Sequence, residues 1–294
     1  MKLREDLIIL TTHSRIDPAQ KHSSVWRQIA EGFGNYVEYN SSISCLIHSL
    51  HENYSDIEEY LQTVPKSKAK NPGAMVLPLT PQQGEYEERL LKMLEAYEGF
   101  IVAINVPPDI NAKERLKNLR GYVGMNEVDA GKMAAKALLS RYSKPSCIYV
   151  PRDKPMHYGY DLRIAGIKDI AKPVNITVCE IDINNEKNSH VICQAMESAV
   201  FVTLGPVGTS FAQKVKKEFP EKVLGIVAMD LNPETAAGIR SRDIICALIQ
   251  HPREQGAKAA ELAIKLLTKQ VTAPYTEIFC GPTLVDLNNL SVFE

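Results

Sequence analysis

The 294-residue sequence has no two cysteines close together in the chain. Its six, Cys45, Cys147, Cys179, Cys193, Cys246 and Cys280, stand well apart, and most lie in apolar runs such as SCIYV, ITVCEI and IICALI. Such spacings argue against a disulfide scaffold or a zinc site. They fit buried, reduced thiols acting as small hydrophobes, which points toward a reducing compartment. Long apolar runs are missing too. None approaches the roughly 20 residues needed to span a bilayer, so no membrane insertion is expected. Neither sign of charge is in excess, with 34 Lys and Arg against 35 Asp and Glu. A protein that lives on nucleic-acid phosphates needs a basic face. Lys214, Lys216 and Lys217 are followed by Glu218 and Glu221, which reads as a solvated helix face. No nucleic-acid partner is expected. The first ten residues, with Glu5 and Asp6 ahead of a short apolar stretch, lack the basic start and small-residue cleavage site of an export signal. Two compartments stay open: the periplasm, with a signal removed, or the cytoplasm.

Catalytic signatures are equally absent. Neither G-x-G-x-x-G nor G-x-S-x-G occurs, and no Ser-His-Asp or Cys-His arrangement can be assembled from local spacing. GPVGTS (205–210) places glycines ahead of a helix, where backbone amides can face an anion. It lacks the Lys-Ser/Thr ending of a P-loop. Two readings remain for it, a tight strand-to-helix turn and a cradle for a hydroxyl or phosphate. No catalytic residue, cofactor or metal ligand is expected.

What the sequence does contain is alternation. Hydrophobic residues make up 45% and charged residues 23%, enough apolar material for two cores in a chain of this length. Continuous apolar runs, LIILTT (7–12), SISCLIHSL (42–50), AMVLPL (74–79), FIVAINV (100–106), SCIYV (146–150), NITVCEIDI (175–183), AVFVTL (199–204), VLGIVAM (223–229) and IICALI (244–249), read as strands buried on both faces. YVGMNE (122–127) is a further candidate. Helical spacing falls between them, at 25–37, 57–64, 85–96, 130–139 and 162–170, and from 255 to 267. Strands separated by helices imply parallel βαβ units. The break Val106-Pro107-Pro108 follows about four such units and is the natural place for the chain to pass into a second lobe.

In this order, the residues resemble the type I periplasmic binding proteins and the effector domains of LacI-type repressors. SSVWRQIAEGF (23–33) is similar to the family's opening helix. GMNEVDAGKMAAKALL (124–139), with Gly124, Asn126 and Gly131, is the most specific match. DLRIAGIKDI (161–170) resembles an Arg-x-x-Gly-aromatic helix, carrying Arg163 and Gly166 but Ile167 in place of Phe. GIVAMDLNPETAAGI (225–239) resembles a strand ending in Asp followed by a Pro-led helix. ALIQHPREQGAKAAELAIKLL (247–267) resembles the Gln-x-Pro turn and long helix near the C-terminus. The chain departs from the pattern at Asn105-Val106, where many sugar binders carry an Asp-Arg or Asp-Ser pair, and at Asp161, where the ribose-type site carries an arginine.

The resemblance implies an α/β fold with two Rossmann-like parallel-sheet lobes joined by a three-crossing hinge. One lobe would comprise residues 1–105 and 251–272, the other 106–250 and 273–294. It implies non-catalytic binding of a small polar ligand, a sugar or sugar derivative, in the interlobe cleft with hinge closure. The chain would then be a solute receptor for a membrane transporter or sensor. The alternative is an effector-sensing domain of a transcription-regulation system; with six residues ahead of Leu7, no DNA-reading helix-turn-helix of its own is expected. An enzyme on the same fold is the least favoured reading.

A sugar needs planar polar groups for its hydroxyls and an aromatic face for its ring. The expected ligand-binding residues are His13, Trp26, Asn105, Asp161, Asp230 and Gln250. His13, Asn105, Asp230 and Gln250 stand at strand ends, where parallel sheets place ligands. For three of them a structural role competes: Trp26 packed into its lobe, and Asp161 or Asp230 capping a helix.

Overall fold

The computed structural model describes residues 7–13, 25–40, 44–50, 73–79, 85–142, 145–152, 158–185 and 192–293. The helix expected at 57–64 lies outside them. The chain divides into two compact units, Met1–Met125 with His251–Cys280, and Asn126–Gln250 with Gly281–Glu294.

The first unit is built on a six-stranded sheet in the order β11-β5-β4-β3-β1-β2. Its strands are β1 (Leu7–His13), β2 (Ser44–Leu50), β3 (Ala74–Leu77), β4 (Phe100–Asn105), β5 (Leu119–Gly124) and β11 (Thr276–Phe279). All neighbours pair in parallel. Side chains alternate across a strand, and here both faces are covered. Met75, Leu77, Ile101 and Ala103 pack on one side with Leu90, Leu91 and Leu94 of α2 (Glu85–Glu95). Ala74, Val76, Val102 and Ile104 pack on the other with Ile29 and Phe33 of α1 (Val25–Asn40). The apolar runs are continuous for that reason.

The second unit repeats the plan. Its sheet runs β12-β10-β9-β8-β6-β7, formed by β6 (Cys147–Arg152), β7 (Thr177–Asp182), β8 (Ala199–Val202), β9 (Val223–Met229), β10 (Ile244–Ile249) and β12 (Thr283–Asp286). Only β12 runs antiparallel to its neighbour. In each unit the order is second, first, third, fourth, fifth, with a late strand added at the edge.

The chain crosses between units three times, at Met125/Asn126, Gln250/His251 and Cys280/Gly281. Two of these differ from the expected lobe boundaries. Val106-Pro107-Pro108 does end β4, but the chain stays in the first unit. Asp109 caps the short α3 (Ile110–Arg115) by accepting from the Ala112 amide at 2.7 Å, and Leu116, Leu119 and Tyr122 are buried in the first core. The segment 273–280 also belongs to the first unit, because β11 pairs with β5.

Two crossings lead directly into helices, α4 (Glu127–Arg141) in the second unit and α8 (Pro252–Leu267) in the first. Each packs against a helix of the unit it enters, α4 on α5 (Tyr158–Ala171), the next in the chain, and α8 on α1. Both contacts need glycine. A Cβ on Gly131 would stand 2.0 Å from the Arg163 carbonyl oxygen, and one on Gly256 would stand 2.0 Å from that of Ile29. Closing the second core are α6 (Pro206–Glu218) and α7 (Pro233–Ser241), which bring Ala212, Val215, Ala236 and Ile239 against β8, β9 and β10.

Candidate ligand-binding residues

In the second unit, Asp230 directly follows β9 with φ 68°. That left-handed conformation is open to few residues beyond glycine, Asp and Asn among them. Its amide donates to the Leu248 carbonyl at 2.9 Å, and its side chain accepts at Oδ1 from Gln250 Nε2 at 2.7 Å. The two expected residues are thus brought together, one half-buried and one buried. Asp230 does not cap α7. That role falls to Asn232, whose Oδ1 accepts from the Thr235 amide at 2.8 Å. Burial raises the pKa of the Asp230 carboxyl, while Arg163 and the Gln250 hydrogen bond pull it back in part.

Asp230 interacts electrostatically with an ion pair that sequence reasoning did not assign to the site. Arg163 of α5 meets both oxygens of Glu127, the first residue of α4, through Nε and an Nη at 3.2 Å. Its other Nη donates to the Leu204 carbonyl, and the guanidinium lies over the Tyr160 ring, 5.3 Å from the centroid. Both charged groups are buried. Burial works against the arginine's charge, but Glu127 outweighs it and its pKa rises. The signal available was a glutamate at the start of a helix; nothing local reveals that it faces an arginine 36 positions away.

Asp161 also belongs to the second unit. It is exposed, within the first turn of α5 rather than ahead of it, and pairs with Arg152 at 3.2 Å. Arg152 ends β6 and also holds Glu180. GPVGTS forms the start of α6. Thr209 Oγ1 donates to the Gly205 carbonyl at 3.1 Å, and Thr203 and Thr209 share a 2.7 Å hydroxyl contact. Those hydroxyls serve the strand-to-helix turn.

In the first unit, Asn105 ends β4 with φ 65°. It sits at the centre of a three-residue turn closed by the Val106 amide on the Ile104 carbonyl at 2.7 Å. The buried Tyr122 hydroxyl donates to the Asn105 and Met125 carbonyls at 3.1 and 3.2 Å. Asn105 Nδ2 donates to Gln255 Oε1 at 3.1 Å. Gln255, fully buried on α8, was not among the expected residues. Its signal was present: it stands four residues ahead of Ala259 and eight ahead of Ala263, so one polar residue interrupts the buried stripe of α8. Trp26 is half-buried and packs on the cluster of Ile29, Phe33 and Leu262. His13 is the last residue of β1, and its side chain lies outside the described residues.

Two α/β units of matching strand order, linked by three crossings and carrying polar residues at strand carboxyl ends, define the type I periplasmic-binding-protein fold. The chain belongs to the periplasmic binding protein domain family, which it matches over residues 101–270. No curated protein matches it by sequence. Among solved structures it is similar to GanP, a glucose-galactose binding protein from Geobacillus stearothermophilus, at 15% identity and TM-score 0.76, covering 97% of this chain and 99% of that one. It is similar to a LacI transcriptional regulator from Bacteroides fragilis at 12% identity and TM-score 0.73, covering 99% and 100%. A third is a periplasmic solute binding protein of an ABC transporter from Actinobacillus succinogenes 130z with bound D-allose, at 17% identity and TM-score 0.72, covering 98% and 100%. No described helix is long and apolar enough to cross a membrane.

Proposed function

We propose that the chain binds a sugar or sugar derivative between its two units, without catalysing a reaction on it, and closes around it as a solute receptor for a transporter or sensor. The observation that carries this reading is Asp230, presented at the carboxyl end of β9 with one carboxylate oxygen already held by Gln250. A carboxylate only accepts, so its ligand must donate, as adjacent hydroxyls do. Asn105 stands at the corresponding strand end of the first unit and Trp26 on its first helix, polar and aromatic groups of the kind a sugar needs. A ligand that favours the closed arrangement does so by its differential affinity. GanP, a glucose-galactose binding protein, and the solute binding protein with bound D-allose point the same way. Likeness to the LacI regulator keeps an effector-sensing role open for the same site.

A thermal-shift screen over pentoses, hexoses, polyols and sugar phosphates tests the proposal. A true ligand at 100 times its Kd adds about 2.7 kcal/mol of stability. Asp230→Ala is expected to abolish that shift. A flat response across the panel, or a full shift retained by Asp230→Ala, would remove the sugar reading.

A further inference from the structure

Residues 250–255 lead from the end of β10 in the second unit into the first turns of α8 in the first. A glutamine stands at each end of this step. Gln250 donates to Asp230 in the second unit at 2.7 Å, and Gln255 accepts from Asn105 in the first at 3.1 Å. Asp230 and Asn105 occupy the same place in their sheets, the carboxyl end of the fourth strand in chain order, and share the left-handed backbone at φ 68° and 65°. The two units therefore present one short polar side chain each from equivalent positions. Both are held by the same stretch of chain.

Gln255 is costly where it stands. It is fully buried on the face that α8 otherwise fills with Gly256, Ala259, Ala260 and Ala263. A buried amide needs partners to offset its lost hydration, and an apolar residue of similar volume would meet no such demand. Its Oε1 also decides which end of the Asn105 carboxamide faces α8. An acceptor there requires the nitrogen, so the Asn105 oxygen is turned to the other side.

We infer that Gln255 is a positioning residue that fixes the orientation of the Asn105 carboxamide for ligand, the counterpart in the first unit of Gln250 acting on Asp230. This rests on the sugar-binding reading, and the test separates the two. Gln255→Met keeps the volume and removes the acceptor. Sugar affinity is measured by calorimetry in the full chain for wild type, Gln255→Met, Asn105→Ala and the double variant. Gln255→Met is expected to weaken binding about tenfold, the size of one lost hydrogen bond, and to add less than about twofold once Asn105 is Ala. Equal losses in both backgrounds would overturn the inference.

A second readout needs no ligand. With asparagine labelled by nitrogen-15, the Asn105 side-chain amide is expected to exchange slowly with solvent in wild type and faster in Gln255→Met. An unchanged exchange rate would also overturn the inference. Gln255→Glu, which keeps an acceptor, serves if Gln255→Met does not fold; it is expected to retain slow exchange, and fast exchange there counts against the contact. If no sugar binds the wild type while the amide behaves as expected, the functional reading fails and the Gln255–Asn105 contact stands.

Discussion

Gly131 and Gly166 are the two halves of one helix crossing. A Cβ on Gly131 would lie 2.0 Å from the Arg163 carbonyl oxygen, and one on Gly166 would lie 2.1 Å from that of Val128. The obstacles are backbone atoms, which cannot rotate away, so α4 and α5 would have to separate. Gly131→Ala is expected to destabilise the chain by about 1–3 kcal/mol or more, the usual cost of overpacking, despite alanine's higher helix propensity. Urea unfolding followed by circular dichroism checks this. A variant as stable as wild type would mean that the helices are not so closely packed.

The pairing of Glu127 with Arg163 predicts an asymmetry between single and double replacements. Arg163→Met leaves a buried carboxylate without its cation and is expected to cost about 3–5 kcal/mol. Replacing Glu127 with Leu in the same chain removes the stranded charge and should restore part of that loss. Chemical denaturation of the wild type and of both variants reads the result. A double variant less stable than Arg163→Met would show that Glu127 has further partners sufficient to hold it.

The elements with the strongest local signal were legible in the sequence. β9 and β10 begin and end where the apolar runs VLGIVAM and IICALI do, because both strands are buried along nearly their whole length. β11 and β12 were not legible. In β11 half-buried and exposed residues alternate over four positions, and its pairing with β5 lies more than 150 residues away in sequence. The lobe boundary drawn at 272/273 was therefore displaced, and the one at 105/106 was displaced because the Pro107-Pro108 break ends β4 while the chain stays in the first unit. Of the candidate site, the strand-end positions of Asn105, Asp230 and Gln250 could be read from the chain. Their partners could not, because the bond from Asn105 to Gln255 spans 150 residues. Burial of a polar side chain on a helix is a tertiary fact.

The cysteines divide by burial. Burial raises Cys147, Cys246 and Cys280 to about 12, and Cys193 to about 11. Near pH 8 only about one in a thousand or fewer of these thiols is the reactive thiolate. Cys179 is half-buried, on the edge strand β7. Among the described cysteines, Cys179 is expected to be alkylated first by iodoacetamide, and the other four only when the chain unfolds. Peptide mass mapping with and without urea checks this. Native labelling of Cys246 at its denatured rate would contradict its burial.

Asp230 links ligand chemistry to pH. Burial raises its carboxyl above the ordinary 3.8, so the folded chain holds that proton more tightly than the unfolded chain does. Such a group contributes stability below its unfolded pKa, and the contribution is lost as pH rises through the folded pKa. At neutral pH the ionised side chain is therefore a cost to the fold, one that a bound hydroxyl donor would relieve. Asp230→Asn removes the charge, keeps an acceptor for Gln250, and suits the left-handed backbone. Without ligand it is expected to be more stable than wild type at about pH 7.5, with the difference shrinking as pH falls toward about 4. The same variant is expected to lose the ligand-induced thermal shift, because a carboxamide is a weaker acceptor than a carboxylate. Urea midpoints measured across that pH range, with and without the sugar found by screening, read both effects. A ligand-free Asp230→Asn less stable than wild type at about pH 7.5 would mean that Arg163 and Gln250 outweigh burial at this carboxylate.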